Sequence, residues 1–205
     1  MVVIVDYGMG NLGSILNMLK KLGCAAIISS KAADIESADK LVLPGVGSFD
    51  NGMKNLHNLG LIPILDHKAL NDKIPILGIC LGMQLLTKKS EEGSMEGLGW
   101  LCAKTVRFSF DRSLTDCKIP HMGWNTVKIA KHNYLFRDMY PDARFYFVHS
   151  YHVVCDDELY VTSRTYYGYE FISSVQKENI AGVQFHPEKS HKFGLKLFRN
   201  FVELP

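Results

Sequence analysis

Cys80 sits between two glycines in Gly78-Ile79-Cys80-Leu81-Gly82, directly after the apolar run IPILGI (74–79). The spacing is G-x-C-x-G, the thiol form of the G-x-S-x-G turn that lifts a nucleophile off the end of a strand. Flanking glycines remove the Cβ atoms that would clash in so tight a turn. A helix starting at once, with Met83, Leu85 and Leu86 turned inward, aims N–H groups and a positive dipole end at the sulfur. Taken alone, Cys80 reads equally well as a small buried hydrophobe. Cys24, Cys102, Cys117 and Cys155 lack such a frame and read as structural.

A cysteine nucleophile needs a base, and GVQFHPEKS (182–190) offers one in His186. In extended chain, residues i and i+2 project to the same side, so Glu188 reaches the imidazole and orients it. Pro187 fixes φ between the two and limits how they move. Such a carboxylate supports the imidazolium that forms when Cys80 gives up its proton. A third piece is LVLPGVGSF (41–49), where Pro44-Gly45-Val46-Gly47 follows a strand. Glycine tolerates positive φ, so peptides of this loop can turn N–H groups outward, as the oxyanion of acyl transfer requires. His-Pro-Glu and the glycine loop each also read as an ordinary turn when considered separately.

Two other motifs lead elsewhere. Gly8-Met9-Gly10-Asn11-Leu12-Gly13 matches the dinucleotide fingerprint G-x-G-x-x-G. That fingerprint also wants an acidic residue ending the second strand. Here AAIISS closes on Ser29 and Ser30, with Asp34 too late, so no nucleotide cofactor is expected. His149 and His152, in VHSYH, suggest a metal only until their spacing is considered: three residues apart in one strand they face opposite ways. His57, His67, His132 and His191 read as exposed residues without a role, and no metal is expected.

The elements that must position these residues read as alternating strands and helices in the first half. VVIVD (2–6), AAIIS (25–29), KLVLPG (40–45) and IPILGI are short apolar strands, and SILNMLKKLG (14–23) is an amphipathic helix ending at Gly23. Such a pattern implies a parallel sheet covered on both faces. NTVKI, RFYFVHSYHVV, LYVTSRTYY, YEFISSV and IAGVQF follow at close spacing and suggest an antiparallel extension, before a last helix over 189–201. The 205 residues, 47% hydrophobic with a net charge of +2, suit one α/β domain over 1–205 with a substantial core. No basic run points to nucleic acid. MVVIVDYG has no signal-peptide features, no run approaches the roughly 20 apolar residues of a membrane span, and five scattered cysteines suit a reducing cytoplasm.

The order and spacing of these pieces resemble the class I glutamine amidotransferases along the whole chain. The carrying residues are VDYGMGNLGS (5–14), PGVGSF (44–49), GICLGMQLL (78–86), PHMGWN (120–125), FVHSYH (147–152) and GVQFHPEKS. Many members of that family carry a histidine where Met83 stands; the match is nearest to members that feed ammonia to a (β/α)₈ barrel cyclase in histidine biosynthesis. The resemblance implies a flavodoxin-like fold and a glutaminase in which Cys80 attacks the L-glutamine amide, His186 moves the proton and Glu188 holds the ring. It implies oxyanion N–H groups at Val46, Gly47 and Leu81, completed by a peptide flip in 44–47. It places Gly47, Gln84, Glu92, Ser150 and Tyr151 around the glutamine. It also implies a heterodimer with the barrel, Asn11, His121, Met122, Trp124, Tyr146 and Lys189 facing that partner, and gives the GMGNLG loop a role in that contact. Three alternatives stay open: a paralogue amidating sugars, suggested by SRTYYGYEFISSVQKENI (163–180), a silent binding subunit, and a cysteine peptidase.

Overall fold

The computed structural model of the chain describes residues 1–111, 117–131 and 133–204. Strands β1 (Val2–Val5), β2 (Ala26–Ser29), β3 (Lys40–Leu43) and β4 (Ile76–Ile79) alternate with α1 (Leu12–Lys21), α2 (Ala32–Glu36), α3 (Phe49–Asn58), α4 (Ile62–Asp66) and α5 (Leu81–Leu85). Then come β5 (Ala103–Arg107), β6 (His121–Thr126), β7 (Lys128–Ile129), β8 (Arg144–His149), β9 (Tyr151–Cys155), β10 (Val161–Tyr167), β11 (Tyr169–Lys177), β12 (Ile180–Val183) and α6 (His191–Val202).

Among the described residues, ten strands form one sheet in the order β2-β1-β3-β4-β12-β11-β10-β7, with β9 joined to β11 and β5 to β9. The first five neighbours run parallel, and β11, β10 and β7 continue antiparallel. Alternate side chains enter opposite layers. Val3, Val5, Leu41, Leu43 and Ile76 pack with Ile35, Phe49, Met53 and Leu65 on the α2–α5 side. Val2, Ile4, Val42, Leu77 and Ile79 pack with Ile15, Leu19, Leu197, Phe198 and Phe201 on the α1 and α6 side. With both faces covered, the continuous apolar runs need no polar alternation. In α1 the buried pair Ile15 and Leu19 stands one turn apart, Lys20 and Lys21 face the negative end of the helix, and Gly23 at φ +71° stops it.

Two expected strands are broken. RFYFVHSYHVV divides at Ser150: β8 pairs with β6 in a separate two-stranded ribbon, whereas β9 returns to the main sheet. NTVKI divides at Val127, with β6 in the ribbon and β7 on the sheet edge beside β10. Each run changes sheets at a corner, which alternation of residue types does not reveal.

The turn carrying Cys80 is tight. A Cβ added at Gly82 would lie 1.8 Å from the Leu43 carbonyl oxygen, a backbone atom that has no room to yield. Gly82→Ala is therefore expected to lower the unfolding free energy by about 3 kcal/mol or more. Gly13→Ala, where a Cβ meets nothing within 4 Å, is expected to raise it by about 0.4–1 kcal/mol. Urea unfolding of the two variants beside the parent checks both signs.

Candidate active site

Three strand ends converge on one cleft. Cys80 follows β4 with φ 54° and ψ −109°, a conformation that side-chain-bearing residues rarely adopt. Its N–H donates to the Val183 carbonyl at 2.8 Å, so the registered pair β4 and β12 extends one residue past β4. That register sets Gln184 beside Cys80, and β12 then carries the chain on to His186.

His186 is held from three directions. Its N–H donates to the Tyr146 carbonyl at 2.8 Å, its carbonyl accepts from the Ser190 hydroxyl at 2.6 Å, and its Nδ1 lies 2.8 Å from Glu188 Oε1. Both side chains of that pair are 1% exposed. Its other nitrogen, Nε2, is buried without a hydrogen-bond partner. Burial opposes charge on the ring, but the adjacent Cys80 sulfur and then Glu188 outweigh it and lift the pKa to about 10. These neighbours thus favour the protonated ring, the form that can hand a proton to a leaving group.

Val46, Gly47, Cys80, Leu81, Gln84, Glu92, Pro120, Val148, His149, Ser150 and Tyr151 line a cleft of about 240 Å³. Gly47 adopts φ +130°. The loop before it is anchored by the buried Tyr7 hydroxyl, which donates to the Pro44 carbonyl. Glu92 accepts from the Phe49 N–H at 2.8 Å. A larger concavity, about 740 Å³, opens between Ile129, Lys131, Asn133, Tyr134 and Met139 and contains none of these groups.

The sequence pattern described as "Glutamine amidotransferase class-I" matches residues 3–204. The chain belongs to the class I glutamine amidotransferases. It is 56% identical over 203 residues, 99% of each chain, to the Methanococcus maripaludis protein named imidazole glycerol phosphate synthase subunit HisH 2. It is 47% identical, over the whole of both chains, to the Campylobacter jejuni protein named imidazole glycerol phosphate synthase subunit HisH 1. Among solved structures it resembles a glutamine amidotransferase with TM-score 0.73 at 22% identity, covering 99% of this chain and 98% of that one. It also resembles a chain of PurLQS from Thermotoga maritima with TM-score 0.70 at 20% identity, covering 98% and 96%. These two likenesses concern the fold.

In this amidotransferase the residues expected at the glutamine, Gly47, Gln84, Glu92, Ser150 and Tyr151, all line the cleft with Cys80. Of those expected to face a partner, Met122 is 61% exposed and Trp124 44%. Lys189 is exposed, with its Nζ 5.6 Å above the half-buried Tyr146 ring, and Asn11 is half-buried at the start of α1. His121 departs from the expectation. It is 2% exposed, its ring stacked on Tyr167 (centroids 4.1 Å apart) and Phe147 (4.8 Å), so it belongs to the interior.

His149 and His152 also correct the expectation of opposite faces. The break at Ser150 turns both rings onto Phe108, at 5.2 and 4.8 Å. Each is held by a hydrogen bond, to the Tyr151 carbonyl and the Tyr169 hydroxyl. Among the described residues no cluster suited to a metal ion occurs, and no helix is long and apolar enough to cross a membrane. Two residues without a signal in the sequence matter here. Gln184 places Nε2 3.7 Å from the Cys80 sulfur, and His191, given no role, stacks on Trp124 at 5.5 Å. His132 lies outside the described residues.

Burial pushes the His121 pKa down to about 4 and holds His149 well below the usual range. When unfolded, these imidazoles bind a proton near pH 6.5; folded, they do not until the pH is far lower. Stability present at pH 7 is thus lost as pH falls from 6.5 towards 4, on the order of 3 kcal/mol from His121 alone. His121→Phe keeps a ring in the stack but removes this linkage. It is expected to be less stable than the parent at pH 7 and to lose less between pH 7 and 5, as denaturant titrations at the two pH values will show.

Proposed function

We propose that this chain is the glutaminase subunit of an imidazole glycerol phosphate synthase, working in the cytoplasm as a heterodimer with a (β/α)₈ cyclase. The observation that carries the reading is the buried His186–Glu188 pair beside a cysteine whose turn opens on a cleft of amino-acid size. The names of the full-length relatives speak for this acceptor over a sugar. An intact Cys80–His186–Glu188 set speaks against a silent subunit.

The chemistry follows from the geometry. Cys80 Sγ attacks the side-chain amide carbon of L-glutamine, and the carbonyl oxygen becomes an oxyanion held by N–H groups of Val46, Gly47 and Leu81. His186, carrying the thiol proton, gives it to the amide nitrogen as the C–N bond breaks, so ammonia leaves and a glutamyl thioester remains. Water, deprotonated by His186, then attacks the thioester; glutamate departs and the thiol is restored. Glu188 keeps the ring in one tautomer and supports its positive charge. Glu92 supplies a carboxylate for the substrate ammonium group, and Gly47, Gln84, Ser150 and Tyr151 complete the wall.

Ammonia that reaches water becomes ammonium and loses its nucleophilic lone pair, so release is useful only against a partner that receives it. Met122 and Trp124 on the ribbon, with Lys189 over the half-buried Tyr146 ring beside Trp124, form a patch of mixed apolar and basic character suited to docking the barrel, with Asn11 contributing from the start of α1. Tying glutamine hydrolysis to an occupied barrel site is a coupling free energy between two sites.

Glutamate release by the chain co-purified with its barrel partner is expected to rise when the ribonucleotide substrate of the cyclase is added. Cys80→Ala is expected to lower that release by about 10³-fold or more while leaving the complex intact. A folded Cys80→Ala complex that still hydrolyses glutamine would sink the mechanism. Hydrolysis in the parent that ignores the ribonucleotide would sink the assigned acceptor.

A further inference from the structure

Gln184 is completely buried, yet its carboxamide lies between two groups of the site. Nε2 is 3.7 Å from Cys80 Sγ, and Oε1 is 3.1 Å from Gln84 Nε2. The orientation of both amides is fixed by one atom. The Tyr151 carbonyl is an acceptor only, so the Gln84 group 3.0 Å from it is the NH₂. Its second N–H then points at Gln184, which must answer with oxygen. That leaves the Gln184 NH₂ facing the sulfur, as a donor. The same Tyr151 carbonyl lies 2.8 Å from His149 Nδ1, which fixes its own position.

We propose that Gln184 is a further residue of the catalytic machinery: its side-chain N–H donates to the Cys80 sulfur and stabilises the thiolate, and Gln84 holds it in that orientation. This rests on the reading of Cys80 as the glutaminase nucleophile. A donor aimed at sulfur favours the anion over the thiol, because a hydrogen bond to a charged acceptor is about twice as strong as to a neutral one. The Val148 carbonyl, 3.9 Å from Sγ, is the opposing group that accepts a hydrogen bond from the thiol. Gln184 does not itself line the cleft. Gln84 does line it, so one side chain both meets the ligand and sets the amide behind the nucleophile.

The test is the pH dependence of Cys80 alkylation by iodoacetamide in the full-length chain, with Cys80→Ala to subtract the other thiols. The titratable groups around the sulfur are His186 with Glu188, Tyr7 beneath the loop, and His149 and Glu92 on the cleft wall. All are retained in every variant, so the shift between variants reports Gln184. Gln184→Met removes the donor at similar volume and is expected to move the inflection up by about one pH unit, a roughly tenfold slower alkylation below it. Gln184→Glu, an acceptor at the same place, is expected to move it further. Should either fail to fold, Gln84→Met releases the orientation from the far end and is expected to shift the inflection upward by a smaller amount. A purely structural role would lower the thermal midpoint and leave the inflection where it was; an unchanged inflection in the folded variants overturns the proposal. If Cys80→Ala keeps its glutaminase activity while the inflection still moves, the assigned nucleophile fails and the hydrogen bond stands.

Discussion

The hydrogen bond from the Cys80 N–H to the Val183 carbonyl is the constraint on which the site depends. It lies just past the paired residues Ile79 and Val183 and holds the ends of two neighbouring parallel strands level. Parallel neighbours run about 4.8 Å apart, so residues at matching heights meet whatever their distance in sequence. Gln184 therefore arrives beside the sulfur, and His186 two residues later. A slip of one residue would exchange the faces of β12, burying the wrong side chains and turning the base away from the nucleophile. The apolar alternation of Ala181 and Val183 into the α1 and α6 layer opposes that slip, so the core and the active site fix the same register.

Two features at the end of those strands oppose folding. One is backbone strain at Cys80, whose positive φ costs on the order of 1–3 kcal/mol. The other is the burial of the His186–Glu188 pair, which loses its hydration and regains part of it through mutual attraction. Packing on every side offsets both. Gly78 and Gly82 let α5 approach so closely that a methyl group at either would meet backbone within 3 Å. Ser190 and Tyr146 close a ring of hydrogen bonds about the His186 peptide. Lys73, Asp138, Glu178 and His191 also have positive φ, but Cys80 is the one of these five that the packing holds at the floor of the cleft.

What is legible in the sequence follows from this distribution. Parallel strands β1 to β4 read plainly because both faces are buried and the runs are continuously apolar, and Cys80 reads plainly because its glycines mark the turn. IAGVQF reads with the antiparallel extension because it follows β11 closely, yet β12 inserts parallel to β4. Helix α3 has no counterpart among the elements expected from the sequence. Phe49, Met53 and Leu56 do have helical spacing and are buried, but Gly52 and the asparagines between them lower the intrinsic preference. Gly52 is there for packing, with Leu85 at 3.1 Å from its absent Cβ. His121 is misleading because its neighbours Met122 and Trp124 belong to the surface patch, and motif position alone does not separate it from them. Gln184 gives no signal of its own: a glutamine in a strand becomes notable only when register sets it against a sulfur.

The corner at Ser150 joins these observations. Because the chain leaves the ribbon there and re-enters the main sheet, four consecutive residues pass over the nucleophile, and all four line the cleft. Two of their carbonyls face the working groups: that of Val148 faces the Cys80 sulfur, and that of Tyr151 receives both Gln84 and His149. The outer side of the same ribbon carries Met122 and Trp124, paired across from Val148 and Tyr146. The Tyr146 carbonyl in turn holds the His186 N–H. No loop intervenes between the exposed patch and the base. One side of the two-stranded ribbon carries the exposed patch and the other, with Phe145 and Phe147, faces the core, so the backbone that presents Tyr146 beside Trp124 is the same backbone that holds the His186 N–H.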